Sequence, residues 1–191
     1  MREIVFDIET QSLIDRGNRE AGRLRISVVG IYDYGTGEYA AFFESELPKL
    51  WQRLESADRI IGYNIKGFDI PVMNAYYPGD LTRLPQLDLM EEVTRHTGFR
   101  LKLDDLAHGT LGVGKSGSGL DAVRFWEAGE LDKLRDYCLQ DVKVTRDLYE
   151  HGRKHGAVSY HDRFKGEKVS VPVNFMPPKA AKPSLNLSLG F

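Results

Sequence analysis

The sequence predicts an α/β fold in which a mixed sheet is flanked by helices. Strand-like segments dominate the first half of the 191-residue chain, and helix-like segments dominate the second half. The first strand, residues 2–9, is rich in β-branched and aromatic residues, which is typical of a buried strand. Hydrophobic residues make up 41% and charged residues 28%, so the composition is that of one soluble globular domain.

Hydrophobic spacing and turn residues place the other elements in order along the chain. Apolar residues recur with a period near 3.6 in the helical segments, whereas apolar runs bounded by turn residues mark the strands. The predicted elements are a loop over 10–25, a hairpin of strands 26–34 and 39–43, a helix over 46–57, a strand over 59–63, and helices over 70–77, 87–96, 101–111, 120–127 and 130–151. A brief strand leading into the helix at 87–96 is the alternative for its first residues.

The chain changes character after the last long helix. Residues 168–174 alternate like a strand, but Pro172 restricts such a strand to a sheet edge. Residues 176–183 are rich in proline, lysine and alanine, and we expect an extended linker there. The sequence therefore divides into a main domain over 1–155, an edge-strand extension over 156–175, and a linker with a C-terminal tail over 176–191.

Net charge and cysteine content argue against several classes of protein. The 26 Lys and Arg residues nearly balance 28 Asp and Glu residues, which disfavours coating a nucleic acid through bulk charge but allows a local basic groove. Cys138 is the only cysteine, so neither a disulfide framework nor a cysteine-based zinc site is expected. No apolar signal region or membrane-spanning run is apparent, so we expect a cytoplasmic protein.

Two carboxylates, Asp7 and Glu9, interrupt the apolar pattern of the first strand. Because side chains alternate along a strand, these two lie on the same face. Like charges near a sheet centre are costly unless a cation compensates them, and oxygen ligands favour a divalent metal ion. The alternative places Glu9 just past the strand end, in solvent, and this stretch alone leaves both interpretations open.

The last long helix carries a second candidate pair. Tyr137 and Asp141 are four residues apart and share a face, and Asp141 lies at the edge of an apolar stripe. A carboxylate there needs a compensating partner, and a surface ion pair with Lys143 or Arg146 is the alternative. The stripe consists of Leu131, Leu134, Cys138, Val142 and Tyr149.

Asp69 is the fourth candidate acid. It directly precedes Ile70 and Pro71, a position where Asp is also a favoured helix N-cap. Asn64 suits a turn that closes the preceding strand. Asp88 is a candidate fifth acid near the site, although its place before a predicted helix favours an N-cap role.

Three groups of residues follow one another as Asp7-x-Glu9, Asn64-x-x-x-Phe68-Asp69 and Tyr137-x-x-x-Asp141. In this order and setting they resemble the DEDD exonucleases of the ribonuclease H-like superfamily, in the branch with tyrosine in the third motif. That branch includes the proofreading domains of family-B DNA polymerases. The sequence is also similar to the stand-alone bacterial and archaeal ribonuclease H-like domains of the YprB type. The resemblance covers about residues 1–150 and implies a ribonuclease H-like fold.

The resemblance implies a metal-dependent 3′–5′ exonuclease that acts on single-stranded DNA or RNA ends and releases nucleoside 5′-monophosphates. Asp7, Glu9 and Asp141 would ligate one Mg²⁺ or Mn²⁺ ion, and Asp7 would bridge to a second. Asp69 would hold that second ion through bound waters, about 4 Å from the first. Tyr137 would orient the attacking water or help to deprotonate it. The candidate substrate-binding residues are Thr10, Asn64, Phe68 and Lys115.

A competing pattern occurs at residues 109–116, which match the phosphate-loop pattern G-x-x-x-x-G-K-[ST]. Such a loop must follow a strand and open a helix. Here a predicted helix precedes the pattern, and the glycines at 117 and 119 disfavour a helix directly after it. We therefore interpret the segment as a loop near the active site, in which Lys115 contacts a substrate phosphate.

Two alternative functions follow from the same features. A non-catalytic nucleic-acid-binding or scaffolding module would retain the fold, but it has no need for four acids and a tyrosine in these positions. A helicase or ATPase would need the phosphate-loop pattern, and ATP-dependent turnover would support it. Scattered surface cations are the alternative to a substrate groove lined by Arg95, Arg100, Lys102, Lys115 and Arg124.

The C-terminal residues 184–191 alternate leucines and end on phenylalanine. They are similar to the peptides by which bacterial polymerases grip the sliding clamp, although the usual leading glutamine is absent. The alternative is a strand added to the enzyme's own sheet. The sequence thus predicts nucleic acid as one partner and allows a sliding clamp, or another replication or repair protein, as a second.

Overall fold

The computed structural model describes residues 1–13, 21–113, 117–162 and 164–177. The strands of its main sheet are β1 (Glu3–Thr10), β2 (Ile26–Asp33), β3 (Glu38–Phe43), β4 (Arg59–Gly62) and β5 (Gln86–Asp88). They lie in the order β3-β2-β1-β4-β5. Strand β1 is antiparallel to β2 and parallel to β4, so the predicted mixed sheet is confirmed.

Helices cover both faces of this sheet, which confirms the α/β class. A hairpin of β6 (Ala157–Asp162) and β7 (Glu167–Pro172) follows the last helix and forms a separate two-stranded sheet. No helix in the described ranges has the length and apolar content to span a membrane. The helices are α1 (Leu47–Glu55), α2 (Asp69–Met73), α3 (Leu89–Thr97), α4 (Leu103–Leu111), α5 (Gly119–Glu127) and α6 (Leu131–His155).

Three elements differ from the sequence prediction. The helix expected over 70–77 ends at Met73, and the chain continues as a turn in which the N–H groups of Tyr76 and Tyr77 both bond to the Met73 carbonyl oxygen at 3.0 Å. Strand β6 was missed, since only Gly156 separates it from α6. Leu131 is 42% exposed and not part of the buried stripe, because α6 begins there, before it reaches the sheet.

Strand β1 separates two hydrophobic cores. Its even-numbered residues from Ile4 to Ile8 are buried against α1 and α2. Val5 is buried on the opposite face, among residues of α3, α4 and α6. Since side chains alternate along the strand, Asp7 and Glu9 share the Val5 face and point towards α6. The sheet thus directs both acids at the long helix.

Gly30 of β2 controls how closely α6 lies to the sheet. It is the register partner of Asp7 on β1. A Cβ atom at this position would lie 2.9 Å from Cys138 Sγ and 3.0 Å from Val142 Cγ2 on α6. The Cys138 Sγ atom is in turn 3.6 Å from the Asp7 carbonyl oxygen. The missing side chain therefore allows α6 to pack directly against the strands at Asp7.

A buried polar network fixes the other half of α6. Arg59 Nη2 donates to Glu3 Oε1 (2.6 Å), and the Tyr149 hydroxyl donates to Glu3 Oε2 (2.7 Å). Arg59 Nη2 also lies 2.6 Å from the Tyr149 oxygen and 3.0 Å from the Phe175 carbonyl oxygen. These hydrogen bonds satisfy the buried ion pair, whose charges would otherwise be costly to desolvate. The network ties α6 to the first residues of β1 and β4.

We predict that Gly30→Ala lowers the free energy of unfolding by about 1–3 kcal/mol. The new methyl group would overlap Cys138 Sγ and Val142 Cγ2, and relief requires α6 to move away from the sheet. Urea unfolding measures the loss. The double variant Gly30→Ala/Cys138→Ala should recover part of it relative to Cys138→Ala alone. Wild-type stability in Gly30→Ala would contradict this account of the helix contact.

Candidate active site

The carboxylates of Asp7, Glu9 and Asp141 converge between β1 and α6. Strand β1 continues through Glu9 to Thr10, so the interpretation that places Glu9 past the strand end is wrong. Each of the three residues offers one carboxylate oxygen, and these oxygens all lie within 4.8 Å of one another. All three side chains are partly buried. One cation could therefore contact all three oxygens.

The cations suggested by sequence as surface partners of Asp141 are bound to another acid. Lys143 Nζ lies 2.9 Å from Asp147 Oδ2, and Arg146 Nη2 lies 2.6 Å from Asp147 Oδ1. Both Lys143 and Arg146 thus pair with Asp147, further along α6. The side chain of Asp141 instead belongs to the group that faces β1.

Tyr137 precedes Asp141 by one helical turn, on the same side of α6. Its ring packs edge-on against Phe125 of α5 at 6.5 Å, and a Cβ atom at Gly117 would lie 2.8 Å from it. Burial is the largest cause that raises the pKa of the Tyr137 hydroxyl, followed by the charges of Asp141, Glu9 and Asp7. The hydroxyl therefore stays protonated at neutral pH and can donate a hydrogen bond.

Asp69 is the first residue of α2 and is only 3% exposed. The predicted N-cap role is wrong, because Phe68 occupies the N-cap position and no side chain caps this helix. Within the described residues, the buried Asp69 Oδ1 atom has no hydrogen-bond partner. Such an atom is costly to bury, and a bound cation or its water shell would compensate it.

The charges of neighbouring acids raise the pKa of Asp7 and of Glu9. For Asp7, burial is the largest cause, followed by the charges of Asp69, Glu9 and Asp141. For Glu9, burial again comes first, followed by Asp141 and Asp69. Burial raises the pKa of Asp69 to about 7, although backbone N–H groups oppose this rise. Without a cation, the four groups cannot all ionise at neutral pH without a cost in stability.

This set of donors suits a divalent metal ion. It consists of carboxylate oxygens, the ligands that Mg²⁺ and Mn²⁺ prefer. The three converging oxygens fit one ion, and the unpartnered Asp69 Oδ1 adds a buried ligand atom next to them. The electrostatic influence of Asp69 on both Asp7 and Glu9 indicates that it borders the same site.

Asp88 braces the loop that leads to Asp69. Its Oδ1 atom accepts hydrogen bonds from the N–H groups of Asn64 (2.9 Å) and Met90 (3.0 Å), and its Oδ2 atom accepts one from Lys66 (3.0 Å). The predicted N-cap role on α3 is confirmed. The same carboxylate also ties the loop after β4 to that helix. Asp88 is thus committed to backbone N–H groups, which leaves a structural role for it.

The candidate residues Asn64 and Phe68 lie in this loop. Asn64 adopts a left-handed φ of 62°, which Asn tolerates better than most residues, and its carbonyl accepts N–H bonds from Gly67 and Phe68. A Cβ atom at Gly67 would lie 2.6 Å from Asn64 Oδ1. Asn64 is therefore the turn residue that the sequence predicted. The half-buried ring of Phe68 packs against the core beneath α1 and α2.

Of the other two candidate substrate-binding residues, Thr10 and Lys115, only Thr10 lies in the described part of the chain. Thr10 is buried at the end of β1, and its hydroxyl donates to the Ser12 carbonyl oxygen at 2.8 Å. That hydrogen bond gives Thr10 a role in closing the strand. Lys115 lies outside the described residues.

The phosphate-loop pattern lacks the setting that such a loop requires. Helix α4 continues through Leu111, so Gly109 is helical and a helix precedes the pattern. A Cβ atom at Gly109 would overlap the Ser159 carbonyl oxygen, so this glycine serves the packing of α4 against β6. Residues 114–116 lie outside the described part of the chain. The described part of the pattern thus argues against a phosphate loop.

Sequence reasoning missed Gly30, on which the position of Asp141 depends. A glycine inside an otherwise apolar strand is a recognised sign of close backbone approach, so the signal was present. What approaches the glycine depends on the pairing of β1 with β2 and on the path of α6. Both are long-range features that no local pattern reveals.

Comparisons with known proteins agree on the fold. A family model described as the RNase_H superfamily matches residues 4–152. The structure is also similar to the family B DNA polymerase from the hyperthermophilic archaeon Pyrobaculum calidifontis, with a TM-score of 0.60 and 21% sequence identity. The similarity covers 79% of this chain and 24% of the polymerase chain. No curated protein matches the sequence significantly.

We predict that the metal-free protein loses stability as pH rises from about 4 towards 7. The raised pKa values of Asp7, Glu9 and Asp69 make the folded state bind more protons than the unfolded chain in this range. Proton binding by these acids contributes fully to folding stability below their pKa in the unfolded chain. The contribution is lost as the pH rises past their pKa in the folded state. Asp7→Asn should lessen this loss and raise the melting temperature in chelator at pH 7.5.

Thermal unfolding in chelator between pH 4.5 and 8 measures this effect. For a chain of this size, each kcal/mol of stability shifts the melting temperature by ~2–4 °C. Other titrating groups contribute equally to the pH dependence of wild type and of Asp7→Asn, so the difference between the two proteins isolates the effect of Asp7. Mg²⁺ should raise the melting temperature of wild type more than that of the variant. A parallel pH dependence in the two proteins would contradict the assigned repulsion.

Proposed function

The chain belongs to the RNase H superfamily, and we propose that it is a metal-dependent 3′–5′ exonuclease acting on single-stranded ends of nucleic acid. Membership of the superfamily supports nuclease activity in general. The order of the three motifs, with Tyr137 four residues before Asp141, supports the exonuclease branch with tyrosine in its third motif. The similarity to a family B DNA polymerase agrees with this choice, although its low identity concerns the fold alone.

The observation that carries the proposal is the convergence of Asp7, Glu9 and Asp141 within 4.8 Å. In the proposal these residues hold one divalent ion, Asp7 also contacts a second, and Asp69 holds the second through water. Bound Mg²⁺ or Mn²⁺ would stabilise negative charge on the attacking and leaving oxygens of phosphodiester hydrolysis and would acidify the attacking water. Hydrolysis at the 3′ end releases a nucleoside 5′-monophosphate.

The protein's own groups position the reactants. The protonated Tyr137 hydroxyl donates a hydrogen bond, which orients the attacking water beside the acids. Asn64 and Phe68 lie in the loop that precedes Asp69 and would contact the terminal nucleotide. Thr10 supports the end of β1 through its bond to Ser12. A contact of Lys115 with a substrate phosphate stays a prediction from sequence.

A non-catalytic module that retained the fold is the alternative from another class. The buried like charges oppose it, because Asp69 Oδ1 has no hydrogen-bond partner among the described residues and the charges of three other acids raise the pKa of Asp7. A scaffold gains nothing from burying these acids together, whereas a metal-dependent nuclease needs them as metal ligands. An ATPase is disfavoured by the helix that precedes the phosphate-loop pattern.

Replacing Asp7 or Asp141 by Asn should reduce nuclease activity by orders of magnitude and preserve the fold, since each substitution removes an oxygen ligand of the proposed metal. The assay incubates 5′-labelled single strands of DNA and RNA with Mg²⁺ or Mn²⁺, with and without chelator. Asp132→Asn is the matched control, because this acid lies exposed on the same helix and pairs with Arg135. Activity of Asp7→Asn within about tenfold of wild type would end the metal hypothesis.

Replacing Tyr137 by Phe should lower the rate of cleavage by about 100-fold, the lower end of the range for general acid–base assistance. Metal and substrate affinity should be retained, because the hydroxyl is not a ligand in the proposed scheme. Single-turnover cleavage at saturating metal across pH measures the rate, with Tyr34→Phe as a control. Unchanged cleavage would make Tyr137 a packing residue, and a loss of metal affinity would refute its separation from the ligands.

A further inference from the structure

Two cavities lie on either side of the segment that joins α3 to α4. A cavity of about 450 Å³ adjoins the loop that leads to Asp69, and a cavity of about 390 Å³ lies beside the β6–β7 hairpin. Arg100 lines the first, whereas its neighbours Phe99 and Leu101 line the second. Residues 99–101 thus form a wall that the two cavities share, called the shared wall below. The first cavity also contacts Asn64, Lys66, Gly67 and Arg95, and the second also contacts Tyr160, His161 and Phe164.

The second cavity presents aromatic rings to solvent. Phe164 follows β6 and is fully exposed, and Phe99 is 48% exposed. The Phe99 ring meets Tyr160 edge-on at 5.9 Å, and the Thr97 hydroxyl bonds the Phe99 carbonyl oxygen at 2.7 Å. These contacts hold one exposed ring in a fixed place. Exposed aromatic rings beside a cleft are the surfaces on which unpaired bases stack.

Among the described residues, the lining of the first cavity has three cations and two acids, Asp88 and Glu91. Within the described residues, none of the salt bridges involves Arg100, Lys102 or Lys165, and all three side chains are exposed. By contrast, Lys66 and Arg95 of the first cavity both pair with Glu91. Cations that lack an acidic partner are available to phosphate groups.

Acidic groups of the second cavity select what can enter it. Asp105 and Asp162 line it beside the aromatic rings. Asp162 Oδ1 accepts the N–H bonds of Phe164 and Lys165, which closes the hairpin turn. The Asp162 carboxylate disfavours phosphate beside it, which favours uncharged bases in this cavity. The backbone of a bound strand would then follow the cations outside.

The first cavity adjoins the loop that leads to Asp69. Asn64 and Gly67 of the first cavity belong to the loop that positions Asp69. The Tyr63 hydroxyl donates to the Leu101 carbonyl oxygen at 2.7 Å, which ties the shared wall to the end of β4. Asp104, at the start of α4, is among the charges that act on Tyr137. The first cavity and the segment at Leu101 therefore both contact residues that lead to Asp69.

We infer that the two cavities form one track for the single-stranded nucleic acid upstream of the 3′-terminal nucleotide. The backbone passes Arg100, and the bases stack on Phe99 and Phe164. This inference rests on the proposed function and defines its substrate as an end with several unpaired nucleotides. A duplex end fits poorly, because its bases are already stacked on one another.

The test compares kcat/KM on 5′-labelled strands of two and eight nucleotides. Phe99→Ala and Phe164→Ala should each lower kcat/KM on the longer strand by about tenfold and affect the shorter strand less. Met176→Ala is the control, since this exposed apolar side chain lies outside both cavities. Because Phe164 is fully exposed, its replacement should leave thermal unfolding unchanged. Equal losses on both lengths, or no loss, would overturn the track.

A binding arm separates the track from the chemistry. Fluorescence anisotropy with Asp7→Asn and a labelled eight-nucleotide strand measures Kd without cleavage. Adding Phe164→Ala should weaken binding about tenfold, and adding Arg100→Gln should reduce the salt dependence of binding by about one counterion. Failure of wild type to cleave any strand would refute the proposed function, whereas unchanged Kd in both added variants would refute the track. Equal affinity for a duplex would also contradict it.

Discussion

The contact between α6 and the centre of the sheet determines where the acids of the site lie. Gly30 leaves no side chain between the strands and Cys138, so the helix passes directly over Asp7. The network of Glu3, Arg59 and Tyr149 fixes the helix at the opposite end of β1. Between these two contacts, a carboxylate oxygen of Asp141 lies within 4.8 Å of carboxylate oxygens of Asp7 and Glu9. The geometry of the site is therefore a consequence of helix packing.

The same packing concentrates negative charge that the rest of the fold must support. The core beneath α1 and α2 and the core around α6 bury both faces of β1, so the strand cannot move to relieve repulsion. Asp88 adds a second constraint, because it holds the loop before Asp69 to α3. Rigid support for a costly cluster is the arrangement expected where function, not stability, is optimised.

Much of this arrangement could be predicted from sequence. The acids on β1 and the pair on α6 could be predicted because the side-chain periodicity of a strand or a helix is visible within a short stretch of sequence. The order of these motifs along the chain gave the family resemblance. The alternative N-cap role for Asp69 was wrong, since Phe68 takes that position and the Asp69 carboxylate is buried. The roles of Gly30 and of the loop contacts of Asp88 depend on elements distant in sequence, which no local pattern contains.

The central claim is that Asp7, Glu9 and Asp141 together bind a divalent cation. The most direct measurement is a crystal structure of the protein grown with Mn²⁺, with the ion located by its anomalous scattering. The account predicts an anomalous peak between the three carboxylates, bonded to an oxygen of each. An ordered site without such a peak at saturating Mn²⁺, or a peak held by other residues, would contradict it.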